Sequence, residues 1–172
     1  MSNRKAMSNR KAMSNRKALN DQITVSGQPS ESEILGLPDD GFRSVINFRT
    51  TGEDDQPIGP DQERKLVESA GMKYVHVPVS MDTISHDTVD QFRQQLEALP
   101  KPVFAHCKSG KRAGAMTMMH VAVENDMSGE ETLSKAEQMG FECDVPELKD
   151  LVKSYVDQRS DASTVQSGNA RD

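Results

Sequence analysis

The sequence predicts an α/β fold with a mainly parallel central sheet flanked by helices. Three observations predict it. "RSVINF" (43–48) and "PVFAH" (102–106) are continuous apolar-rich runs, the pattern of strands buried on both faces. The stretches between such runs carry apolar residues at helical spacing. Strand and helix patterns alternate through most of the chain and helices close it, the order of crossover-connected α/β layers. At 172 residues, one domain with a real core is expected.

"ITVSG" (23–27) reads as a short first strand and "GQPS" as a turn. "ESEILGLPDDG" has room for one or two helical turns. "RSVINF" is the next strand, and the Gly, Pro and acids of "TTGEDDQPIGP" make a loop. "PDQERKLVESAG" has Pro60 at its start and Gly71 past its end, a helix signature. In "MKYVHVPV", Val75, Val77 and Val79 share one face and Tyr74 and His76 the other, which is strand periodicity. Val89, Phe92, Leu96 and Leu99 form one helical stripe, stopped by Pro100 and Pro102. After "PVFAH", residues 113–124 form a mostly apolar helix, with Met116, Met118 and Met119 as core packing. Ser128 with Glu131, and Asp144 with Glu147, have capping-box spacing. Leu148, Leu151, Val152, Tyr155 and Val156 make the last core stripe.

Charge divides the chain. Net charge is −6, yet the first 18 residues read MSNRKA three times, with six Lys/Arg and no acid; the rest holds 15 basic against 27 acidic residues, near −12. An acidic body without Trp argues against a nucleic-acid partner. Residues 1–20 are read as a disordered basic arm, 21–158 as the folded domain, and 159–172 as a disordered polar tail. A duplicated start is the simpler account of the repeat than an arm for anionic surfaces. No apolar run reaches membrane-spanning length and no secretory h-region is present. Two cysteines, Cys107 and Cys143, make no disulfide framework, so a cytoplasmic, reducing setting is expected.

"FAHCKSGKRAGAMTMMH" (104–120) is where the chemistry concentrates. Cys107 ends a strand at the edge where open α/β sheets build their sites. It also faces the start of a helix, whose free N–H groups favour anions and whose field favours a thiolate. Lys108 and Lys111 add positive charge. Ser109 and Gly110 let backbone amides converge on an anion, and Arg112 is able to grip two oxygens of an oxyanion. A buried structural cysteine before a basic turn is the plainer alternative. A nucleotide-binding P-loop does not fit, because Arg112 stands where Ser or Thr belongs and Ala105 where the first Gly belongs.

"HCKSGKRAG" resembles the cysteine-phosphatase signature His-Cys-x5-Arg, shortened by one residue. Together with "ITVSGQPS", "GFRSVINFR" and "MKYVHVPVS", it is similar to the phosphatase-like domain of the beta-lactamase-hydrolase-like family, over roughly residues 22–142. The resemblance implies the three-layer sandwich of dual-specificity tyrosine phosphatases. It also implies a thiolate enzyme with Cys107 as nucleophile and Arg112 as oxyanion clamp. On the phosphatase reading, a phosphocysteine forms and water hydrolyses it, while the loop residues Lys108, Ser109, Gly110 and Lys111, with His106, surround the phosphate. Asp82, in "PVSMDTIS", is the candidate general acid; a plain loop carboxylate is the competing reading. The substrate is a small anion or a phosphorylated protein, with no cofactor and no metal.

Two departures keep other readings open. Ala113 replaces the Ser or Thr that many phosphatases carry after the Arg. The shorter loop lacks one amide and about 3.5 Å of chain, and rhodanese-type sulfurtransferases, which carry a persulfide on such a cysteine, also use a short loop. An oxyanion-binding module with little turnover is the third reading. His106 is expected to orient Cys107 more than to act as a base. His76, His86 and His120 show no metal-ligand spacing, and Cys143 reads as a bystander more than as a thiol that resolves an oxidised Cys107. Arg49 is expected either to aim an ion pair at the site rim or to bind an acidic neighbour. Glu53, Asp54 and Asp55 sit in a loop able to rim the site, with solvated loop charges as the plainer reading.

Overall fold

The computed structural model describes residues 16–80, 82–140 and 146–171, with side chains described as far as residue 159. Five strands form one sheet: β1 (Lys17–Ala18), β2 (Ile23–Ser26), β3 (Ser44–Asn47), β4 (Lys73–His76) and β5 (Val103–His106). Their spatial order is β1-β2-β5-β3-β4. The β2–β5, β5–β3 and β3–β4 pairs are parallel, and β1 lies antiparallel on β2. The six helices among the described residues are α1 (Glu31–Gly36), α2 (Pro60–Ser69), α3 (His86–Ala98), α4 (Lys111–Glu124), α5 (Gly129–Gln138) and α6 (Pro146–Arg171). The expected α/β sandwich with a mainly parallel sheet is therefore the observed one.

Both faces of the sheet are covered, which is why its strands read as unbroken apolar runs. On one face Ile34 and Leu37, from and just after α1, and Val67 of α2 pack with Val45, Tyr74 and Phe104. On the other, Ile23, Val25, Ile46 and Ala105 meet α3, α4, α5 and α6. The stripe of α3 is buried at Val89, Phe92 and Leu96, and that of α6 at Leu148, Val152, Tyr155 and Val156. Met116, Met118 and Met119 are core residues of α4. Tyr155 also ties α6 to α3, donating to an Asp90 carboxylate oxygen at 2.6 Å.

Strand ends fix where the site lies. Ser26 and Asn47 both stand level with His106 of β5, and His76 stands level with Asn47. Four parallel strands thus stop together, and the segments after them meet at one edge of the sheet. β5 is the central strand, between β2 and β3, so its loop emerges at the middle of that edge.

Several expectations are displaced. Arg16–Asn20 belong to the folded body and not to an arm: Lys17 and Ala18 pair with Val25 and Thr24, Arg16 binds Asp40 at 2.9 Å, and Lys17 Nζ donates to the Met139 carbonyl at 2.9 Å. A two-residue strand carries too little periodicity to be seen in sequence. Helix α6 runs to Arg171, through the stretch that composition assigned to a tail. α4 starts two residues before its apolar run, at Lys111, because Gly110 turns the chain directly into it. The Ser128–Glu131 capping box forms, and Ser30 with Glu33 makes another at α1. Asp144, expected to cap α6, lies outside the described residues, as do Cys143 and residues 1–15. Among the described residues, no helix is long and apolar enough to cross a membrane.

Candidate active site

Cys107 follows β5 directly and is buried. Its Sγ accepts hydrogen bonds from the backbone N–H groups of Gly110, at 3.1 Å, and Ala113, at 3.4 Å. Its own N–H donates to the Ser26 carbonyl at 3.3 Å. The loop is backed by the end of β2, where the Gln28 N–H donates to the Lys108 carbonyl at 3.1 Å. A Cβ on Gly27 would stand 3.0 Å from that same carbonyl oxygen, so a side chain there would press the loop back by a few tenths of an ångström. Gly110 has φ of +99°, left-handed backbone that a side chain would strain. "VSGQ" and the cysteine loop are therefore one packed unit. The side chains of Lys108, Ser109 and Lys111 are exposed, and Lys108 reaches Asp55 at 3.5 Å.

Arg112 comes to the thiol from the first turn of α4, and Glu53 holds it there. Nη1 donates to Glu53 Oε2 at 2.6 Å and Nη2 to Oε1 at 2.9 Å, while Nη1 also donates to the Val79 carbonyl at 2.8 Å. A guanidinium has five N–H groups, and these contacts use three. The remaining pair, on Nε and Nη2, forms the lateral edge that an oxyanion takes in bidentate fashion. Hydrogen bonding to Glu53 raises the Arg112 pKa against the effect of burial, and the nearby Cys107 sulfur raises it further. In return, Arg112 holds the Glu53 carboxyl far below the ordinary carboxylate range, also against burial.

Glu53 is itself fixed from beneath. The Arg49 side chain is fully buried; its Nε donates to Glu53 Oε1 at 3.0 Å. Its other N–H groups reach Gln28 Oε1 at 2.9 Å, the Asp54 carbonyl at 2.8 Å and the Asp55 carbonyl at 3.3 Å. Thr50 adds a backbone N–H at 2.6 Å and its hydroxyl at 3.1 Å to Glu53 Oε2. The two expectations for Arg49 meet in one contact: it binds an acidic neighbour, Glu53, and that ion pair stands beside Arg112. The expectation that Glu53 is a solvated loop charge is corrected: two arginines enclose it. Asp54 and Asp55 are exposed, as expected, and serve through their carbonyls.

His106 does not face the anion loop. Its side chain and that of Glu63 are both fully buried, with Nε2 2.6 Å from Glu63 Oε2 and Nδ1 3.3 Å from the Cys107 carbonyl oxygen. The ring thus lies against the Cys107 peptide and a buried carboxylate, and not among the exposed loop residues with which His106 was grouped on the phosphatase reading. Glu63 also accepts from Gln28 Nε2 at 3.2 Å. Burial works to raise the Glu63 carboxyl; His106, Gln28 and Tyr74 together outweigh it and hold it below its ordinary value. Tyr74 is pushed up, by burial first and by the Glu63 charge second. Composition gave no sign of Glu63, but its spacing did: with Pro60 and Val67 it lies on the buried stripe of α2, a carboxylate where an apolar residue belongs.

Asp82 is exposed, on the turn after Val79, whose carbonyl receives Arg112. The structure thus brings Cys107, Gly110 and Arg112 together, with Lys108, Ser109 and Lys111 around them and Asp82 on a neighbouring turn. His76 binds the Arg49 carbonyl, His86 the Ser154 hydroxyl and His120 the Arg93 guanidinium. Among the described residues, no three His, Cys, Asp or Glu side chains are grouped to hold a metal ion.

Comparison with known proteins finds a matching family and structural neighbours. A family model for the phosphatase-like domain of beta-lactamase hydrolase-like protein matches residues 15–125. The beta-lactamase hydrolase-like protein of Agrobacterium fabrum is 33% identical over 122 residues, 71% of this chain and 28% of that protein. The chain therefore spans under a third of the length of that relative. Among solved structures, P. aeruginosa TpbA superposes with a TM-score of 0.70 at 22% identity, covering 88% of this chain and 91% of that one. A cysteine-to-serine variant of TpbA is in complex with pTyr. PTPMT1 in complex with PI(5)P has a TM-score of 0.70 at 15% identity, covering 86% of this chain and 98% of that one. At these identities the structural likeness concerns the fold.

Proposed function

The chain belongs to the family of beta-lactamase hydrolase-like phosphatase-like domains, and on that premise we propose that it is a phosphatase-like hydrolase with Cys107 as its nucleophile. The observation that carries this reading is the grouping of the Cys107 sulfur with two loop amides that donate to it and with the Arg112 guanidinium, whose contacts to Glu53 and Val79 use three of its five N–H groups. Sγ attacks the phosphorus of a phosphomonoester. The S–P bond forms as the P–O bond to the leaving group breaks, and Asp82 gives the leaving oxygen its proton. Water then attacks the phosphocysteine, the S–P bond breaks, and Asp82 takes the water's proton. Throughout, loop amides and Arg112 stabilise the charge on the transferring group, the largest electrostatic contribution in such reactions. Complexes of fold neighbours with pTyr and PI(5)P support a phosphorylated protein or a small phosphorylated molecule as substrate.

One observation favours a second reading. With four residues between Cys107 and Arg112, the loop amides close on the sulfur atom itself. A cradle of that size suits a persulfide. Sγ would then attack the outer sulfur of thiosulfate, an S–S bond would form, sulfite would leave, and an acceptor such as cyanide would take the sulfur. A paired assay on one preparation separates the readings. Cys107-dependent hydrolysis of an aryl phosphate is the expected result, abolished in Cys107→Ser. Cys107-dependent sulfur transfer from thiosulfate to cyanide without phosphate release would replace the first reading by the second. Neither turnover, with oxyanion binding retained in Cys107→Ser, would reduce the site to a binding module.

A further inference from the structure

Behind Cys107 lies a buried charged pair that no catalytic step above uses. The Nδ1 atom of His106 faces the Cys107 carbonyl oxygen at 3.3 Å, and Nε2 faces Glu63 Oε2 at 2.6 Å. A carbonyl oxygen only accepts hydrogen bonds, so Nδ1 carries a proton. The Nε2···Oε2 contact needs another proton between its two atoms. The contact is short, and charge-assisted hydrogen bonds run shorter than neutral ones. The pair is therefore neutral overall, an imidazolium held by a carboxylate, with its positive end against the peptide of the nucleophile. Isolated charges would not survive at full burial; each survives because the other is there. Glu63 has further donors in Gln28 Nε2 and Tyr74, and Tyr74 is bound in turn by Asn47 Nδ2 at 3.0 Å. This carboxylate reaches His106 from α2, across the end of the sheet.

We propose that Glu63 is a positioning residue for Cys107, acting through His106 to hold the imidazolium that keeps the nucleophile reactive near neutral pH. The inference rests on the reading of Cys107 as a thiolate nucleophile, and deepens it by naming what sustains that state. The other charged or titratable groups around this centre are Tyr74 on β4, with Arg64 stacked 5.1 Å over its ring, the Arg112–Glu53 pair, and the exposed Lys108–Asp55 pair.

Glu63→Gln tests it cleanly. The glutamine amide is able to donate to Nε2 of a neutral imidazole while Nδ1–H still meets the Cys107 carbonyl. Geometry is kept and only the charge is lost. The readout is the rate of Cys107 alkylation by iodoacetamide, which does not depend on which group the enzyme transfers. At pH 7 the variant is expected to react about tenfold more slowly than wild type, because less of the thiol is then ionised. At strongly alkaline pH, where any thiol is ionised, the two rates are expected to converge. His106→Asn, which keeps a donor for the Cys107 carbonyl but no charge, is expected to lose as much, and the double variant no more than either. It also serves as the test should Glu63→Gln fail to fold by its thermal melt. Equal rates at pH 7 in a folded variant and a reactive wild type overturn the role of Glu63 alone. A wild-type Cys107 no more reactive at pH 7 than free cysteine overturns the thiolate reading, and this inference with it.

Discussion

Arg112 and Glu53 show why a residue's chemistry depends on how its donors are divided. An arginine beside a carboxylate looks neutralised, yet Glu53 and Val79 take only the end of the guanidinium and one flank. The Nε–H and the second Nη2 N–H are not used by these contacts. Glu53→Gln puts an amide N–H against an Arg112 N–H, so kcat/KM is expected to fall about tenfold or more and stability by about 1.5–3 kcal/mol, the range for hydrogen bonds to charged groups. The pH dependence follows from the sign of the shift. Glu53 is held below its ordinary value of 4.5, so its contribution is complete above that value and is lost as pH falls through the lower, folded one. Urea unfolding should therefore give the widest gap between wild type and Glu53→Gln near neutral pH, shrinking steadily in acid. A gap that ignores pH would count against the pair. Asp82→Asn tests the general acid. Hydrolysis of an alkyl phosphate, with its poor leaving group, is expected to fall about 10²–10⁴-fold, and that of an activated aryl phosphate much less. An equal loss on both substrates would place the acid elsewhere.

At the level of elements, the cysteine loop depends on its contact with the end of β2. Gly27→Ala sets a methyl group 3.0 Å from the Lys108 carbonyl, a backbone atom that moves only if the loop moves. Turnover is expected to drop severalfold while the thermal melt shifts little, because the strain falls on the loop and not on the core. Gly110→Ala differs in cause. Its φ of +99° is costly for any side chain, about 1–2 kcal/mol, and the loss should appear in equilibrium unfolding as well as in rate. Helices α3 and α6 were legible as stripes because each buries one face against the sheet. Strand β1 was not, since two residues carry no period. The buried Glu63 was half legible: its position on the stripe of α2 could be read, but its partner 43 residues away could not.

For the whole molecule, the sheet sets both stability and site. Phe104 is central on β5, fully buried between Val45 and the α1 and α2 layer; Phe104→Ala is expected to cost about 3–5 kcal/mol in urea unfolding at neutral pH. Because β5 carries the cysteine loop at its end, activity should fall with the folded fraction and recover where folding is restored. The sequence by itself determined the alternation of strands and helices, the faces that each element buries, and the strand–loop–helix that carries Cys107, Gly110 and Arg112. Those features rest on periodicity and on neighbours within a few residues, and local order suffices to express them. Only the tertiary structure decided that four strands end level, and that Gly27 and Gln28 back the loop. It also decided that Glu53 and Arg49 hold Arg112, and that Glu63 stands behind His106. These are contacts between charges or backbones far apart in the chain. Their energy depends on distance and burial, which exist only once the sheet has brought the loops to one edge.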